Sequence, residues 1–210
     1  MTTLALRIAP PRSAVAERAR FVAIAVLTGA ATIAGLAQVS VPLPFTPVPL
    51  TGQTLGVLLV GAAYGPGLGV ATVGVYLLAA VAGMPVLAPN ADGGHDTGLA
   101  VLGAAAFTGG YLWGFAVAAG VVGALARRGW DRSFRSAIGA MLLGEIAIFA
   151  VGLPWLAAAL DGAGLPSSLE DTLAAGLYPF VIGDTLKLLA AAALLPGAWR
   201  TLERFRPGEG

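Results

Sequence analysis

YPFVIGDTLKLLAAAALL, residues 178–195, is almost pure hydrocarbon, yet it holds an acid, Asp184, and the chain's single lysine, Lys187, three positions apart. A helix rises about 1.5 Å per residue, so a hydrocarbon core of about 30 Å takes roughly 20 apolar residues to cross. This stretch, extended to about 173–196, meets that length. Five others meet or approach it, at about 19–40, 53–64, 67–83, 104–126 and 136–160, with a tight Gly65-Pro66-Gly67 turn between the second and third. The whole chain agrees: of 210 residues 57% are hydrophobic and 11% charged, well outside the soluble average. Its 30 glycines suit close helix approach in lipid, where small residues let backbones pack. With no cysteine, a disulfide framework and a thiolate metal site are excluded.

Orientation follows from the arginines, because positive residues are retained on the cytoplasmic side. With the N-terminus inside, the cytoplasmic segments hold Arg7, Arg12, Arg18 and Arg20, then Arg127, Arg128, Arg132 and Arg135, then Arg200, Arg204 and Arg206. All 11 arginines then fall on one face, and an odd number of spans would move a cluster to the other. The expected fold is therefore an all-α integral membrane protein, a bundle of six transmembrane helices with both termini cytoplasmic. Residues 1–18 form a cytoplasmic segment, 19–196 the membrane domain and 197–210 a cytoplasmic tail. Residues 1–20 lack an apolar core of signal-peptide length and read as a cytoplasmic head rather than a cleaved leader.

The outer loops are 41–52, 84–103 and 161–172. The first is punctuated by prolines, each of which biases its predecessor toward extended backbone. The second is longer than a simple connection needs and mixes Asn90, Asp92, His95 and Asp96 with glycines, which suits a lid. His95 stands alone, so it reads as a solvated loop residue and not a metal ligand. Trp113, Trp130 and Trp155 read first as interfacial or packing aromatics.

Three ionisable residues remain at membrane depth: Glu145, Asp184 and Lys187. Each costs at least about 2.5–3.5 kcal/mol at a helix centre, so a partner or a cavity is expected beside it. Asp184 and Lys187 share one helix face. Counted from Ser136 and Pro196, Glu145 and Lys187 lie at equal depth, so an ion pair between adjacent helices is one reading. A ligand site is the other, because an acid accepts from N–H groups while an ammonium donates to carbonyl or carboxylate oxygens. Glu145 reads as the more structural of the three. Tyr111, just below the long loop, suits ligand stacking or a core position equally. Gln53 and Thr54, opening the second span, line a pocket or cap the helix.

A nucleotide-driven pump within one chain is excluded, because the single lysine is followed by Leu188 and the phosphate loop needs Ser or Thr there. An intramembrane aspartyl protease needs two facing aspartates, and Asp184 is alone. The chain reads as no enzyme, with no cofactor and no nucleic-acid partner. What survives is a solute-binding membrane protein or a structural subunit locked by its buried charges.

Four blocks carry a resemblance: PVPLTGQTLGVLL (47–59), YLLAAVAGMPVLA (76–88), TGGYLWGF (108–115) and PFVIGDTLK (179–187). In order and spacing they resemble the BioY family, the biotin-capturing substrate-binding components of energy-coupling factor transporters. The resemblance implies a compact six-helix bundle that binds biotin on the outer side beneath the first and third loops. It also implies partnership with a transmembrane coupling protein and two cytoplasmic ATPases. It carries vitamin-pocket roles onto Asp184 and Lys187, adds Asn90 to the candidate ligand set, and puts coupling-protein docking on Ala19 and Ala23. Biotin's ureido N–H groups then call for Asp184, and its carbonyl or carboxylate for Lys187.

Overall fold

The computed structural model describes residues 3–5, 15–90 and 92–205; Arg7, Arg12 and Arg206 lie outside the described residues. Among the described residues seven α-helices are bounded: α1 Val15–Ala37, α2 Gln53–Tyr64, α3 Pro66–Val81, α4 Gly109–Arg127, α5 Phe134–Gly162, α6 Leu169–Gly176 and α7 Val181–Phe205. Four of them, α1, α4, α5 and α7, are long and apolar enough to cross a membrane. At 12 and 16 residues α2 and α3 rise only about 18 and 24 Å. They are joined through Gly65, whose φ of 82° suits glycine, with Pro66 in the first turn of α3. The first loop folds back on itself, with β1 (Ser40–Val41) pairing antiparallel to β2 (Leu50–Thr51).

Small residues set the packing. A Cβ on Gly114 of α4 would come 2.9 Å from the Ile148 carbonyl oxygen of α5, and one on Gly61 of α2 would come 2.9 Å from Ala119 Cα of α4. Backbones this close gain dispersion over their whole length, so α4 becomes the central helix, buried along most of its faces. α1 is more peripheral, burying only the stripe Ala25, Gly29, Ile33 and Ala37.

Two differences from the sequence reading concern prolines. The expected span 173–196 is two helices, because α6 stops at Gly176 and α7 starts at Val181, with Pro179 in the break. Pro196 does not end the last helix, which continues through it to Phe205. Lys187 is thus about 9 Å along α7 from its start, nearer that end than the count back from Pro196 gave.

Candidate functional site

The starts of α2, α4 and α7, the long loop and the first loop converge on a cavity of about 110 Å³. The chain path puts it at the opposite helix ends from Arg127, Arg200 and Arg204. Its lining combines apolar side chains, Phe115, Phe149, Phe180, Leu112 and Ile148, with polar ones, Thr51, Gln53, Thr54, Asp184 and Lys187. Such a lining suits a small ligand with a polar head and an apolar body.

Lys187 organises the polar part of the lining. Its Nζ donates to the Thr51 carbonyl at 2.7 Å and to Thr54 Oγ1 at 2.9 Å, and pairs with Asp184 Oδ1 one turn back on α7. Two of the ammonium's three protons are spent on these hydrogen bonds, and the ion pair with Asp184 holds its remaining side. Any ligand oxygen that reaches Lys187 must displace a partner, and neutral Thr54 is cheaper to give up than the carboxylate. The approach of α7 is tight here, since a Cβ on Gly183 would meet Leu50 of β2 at 2.9 Å.

Gln53 is buried in the first turn of α2, where its Nε2 donates to Tyr76 of α3. Capping does not explain it or Thr54: the N-cap is Gly52, and the side chain that meets a first-turn N–H there is that of Thr51, whose Oγ1 accepts from Gln53 N at 3.3 Å. Tyr111 is also buried, its hydroxyl donating to Gly176 O at 2.9 Å and its ring meeting Phe149 edge-on at 6.1 Å. From the long loop, Asn90 and Asp96 reach the cavity wall joined by an Nδ2 to Oδ1 bond of 3.0 Å. His95 Nδ1 lies 2.9 Å from Leu87 O, a contact that fastens the loop to itself. Among the described residues no group of metal-ligating side chains occurs.

Six of the residues singled out in the sequence therefore share the cavity wall: Gln53, Thr54, Asn90, Tyr111, Asp184 and Lys187. Ala19 and Ala23 lie elsewhere, exposed on α1. The ion pair between Glu145 and Lys187 does not form. Lys187 pairs within its own helix, while Glu145 is buried in α5 off the cavity wall, both its oxygens without a hydrogen-bond partner among the described residues. Thr51, Asp96, Phe115, Phe149 and Phe180 were not among the candidates. Thr51, Phe115 and Phe180 lie within the blocks that carry the resemblance, but nothing marks Phe149 in an all-apolar span.

The BioY family model matches residues 11–204. The chain belongs to the BioY family. Among relatives, the biotin transporter BioY of Rhizobium etli is 33% identical over 161 residues, 73% of this chain and 79% of that one. The probable biotin transporter BioY of Pyrococcus horikoshii is 32% identical over 178 residues, covering 84% and 94%. A crystal structure of the S-component for biotin from an ECF-type ABC transporter superposes with a TM-score of 0.72 at 25% identity, over 90% of this chain and 95% of that one. This BioY chain is thus a multi-pass cell-membrane protein with the S-component fold.

Proposed function

We propose that the chain serves biotin uptake, capturing the vitamin in the cavity at the outer face and delivering it inward with an ATP-driven coupling module. It acts as a transport protein and not as an enzyme. The observation that carries the reading is a cavity lined both by Asp184 and Lys187 and by three phenylalanines, in a chain whose relatives are biotin transporters. Biotin's fused rings and aliphatic tail match Phe115, Phe149 and Phe180. Its ureido N–H groups need acceptors, which Asp184 and Gln53 supply. Its carbonyl or carboxylate oxygen replaces Thr54 on Lys187. Asn90 and Asp96 close the mouth, and Tyr111 shapes the floor.

In this reading all six long apolar segments are embedded, α2 and α3 included, within a membrane domain spanning 19–196. Residues 1–18 and 197–210 face the cytoplasm, where the arginines gather. The exposed Ala19 and Ala23 on α1 offer a flat face for a transmembrane coupling protein, which with two ATPases supplies the energy the chain has no phosphate loop to provide. Calorimetric titration of the detergent-solubilised protein with biotin tests the proposal. Saturable one-to-one binding that Lys187→Ala abolishes, with thermal unfolding of the unliganded variant still cooperative, is the expected result. Wild type that is folded and binds no biotin would leave the 184–187 pair as a helix tie.

A further inference from the structure

Behind the cavity wall runs a buried relay whose polarity is dictated by one backbone group. Val86 lies in the segment after α3, and its carbonyl can only accept. Tyr76 OH donates to it at 3.2 Å, so the one proton on that hydroxyl is spent. Toward Gln53 the tyrosine oxygen can therefore only accept, and the Gln53 group beside it must be Nε2. The amide then has its oxygen at the other end, where Thr51 Oγ1 donates to Oε1 at 3.1 Å. Thr51 is part of the cavity wall and Tyr76 is not, so the oxygen end of the amide is the one on the cavity side. Gln53 and Tyr76 are 6% and 1% exposed, so water has little room to restore a bond that is lost.

We infer that Tyr76, which does not line the cavity, is a specificity-determining positioning residue: it holds Gln53 so that an acceptor meets the ligand's N–H groups. The inference rests on the biotin reading and deepens it. An amide is nearly symmetric in shape, and without Tyr76 it could turn over and present N–H groups instead. A fixed acceptor favours a ureido ring and rejects a ring of the same shape that carries oxygen in place of N–H, since two acceptors would then face each other unpaired.

The experiment measures the affinity of biotin against its cyclic-carbonate analogue, in which both ureido N–H groups are replaced by oxygen. The proteins are wild type, Tyr76→Phe, Gln53→Leu and the double variant. Tyr76→Phe is expected to weaken biotin about tenfold and to lower the biotin-to-carbonate preference by at least that factor, the worth of one buried hydrogen bond. In the Gln53→Leu background the same change should alter the preference less than twofold, because Tyr76 acts only through Gln53. If Tyr76 merely braced the loop at Val86, its effect would persist in that background, and the inference would fail. It fails too if wild type binds biotin and Tyr76→Phe leaves the preference unchanged. Should Tyr76→Phe not fold, Gln53→Leu alone must still lower the preference, and an unchanged ratio there overturns the proposal. Wild type that binds no biotin sinks the underlying reading instead, which separates the two failures.

Discussion

Asp184 and Asp131 are both buried carboxylates, yet they sit in opposite kinds of surroundings. Asp184 pairs with Lys187 on the wall of a cavity, among groups that a ligand can rearrange. Asp131 is fully buried in the α4–α5 connection, where Trp199 Nε1 of α7 donates to its Oδ2 at 2.6 Å. Arg132 stacks on the same indole, 4.4 Å from the ring centroid. No part of that cluster lines the cavity. Burial of a charge therefore does not by itself mark a binding site. What separates the two acids is the cavity beside Asp184, whereas the Asp131 carboxylate, held by an indole, reads as a staple joining two helix ends.

The contrast can be broken most sharply at Lys187. Replacing it by alanine should weaken biotin at least about a hundredfold, since charged hydrogen bonds are worth about 1.5–3 kcal/mol each; calorimetry reads the loss. At the other site Asp131→Ala should lower unfolding stability by about 1–3 kcal/mol, because the Trp199 N–H is left buried without an acceptor. That corresponds to a fall of several degrees in Tm, with biotin affinity unchanged within twofold. A biotin defect in that variant would erase the distinction between the two acids.

A smaller effect is expected at Tyr111, whose hydroxyl holds Gly176 O while its ring stands against Phe149. Tyr111→Phe keeps the ring and should cost about 1 kcal/mol of stability with at most a threefold change in biotin affinity. The smallest effect is a pH slope. Burial pushes the Asp131 carboxyl above its ordinary value, against the lowering influence of the Trp199 bond and Arg132. The folded chain then holds that proton to higher pH than the unfolded chain does. Between the ordinary and the raised value the folded state binds more protons, so stability falls as pH rises through that window and flattens above it. Thermal unfolding across the acid range should show this decline in wild type and lose it in Asp131→Asn.

Much of this was readable from residues. Apolar length located α1, α4 and α5 and found α7 fused to part of α6, and the rule that membrane charges need a partner or cavity singled out Asp184 and Lys187. The rest was hidden for physical reasons. In a helix apolar on all faces periodicity does not tell core from lipid, so Phe149 gave no sign of facing a cavity. Asp131, set among arginines in a connection, looks solvated in sequence, and only the return of α7 through Pro196 brings Trp199 onto it. Equal depth suggested that Glu145 and Lys187 meet, but depth carries no rotation about the helix axis, and Lys187 turns toward Thr51 and Thr54 instead.

The most direct test sets the two acids side by side: biotin titration of Asp184→Asn and Asp131→Asn, both neutral isosteres, in the same detergent as wild type. The account predicts that Asp184→Asn loses at least tenfold in affinity and that Asp131→Asn binds like wild type. Undiminished binding by Asp184→Asn, or an equal loss in both, would contradict it.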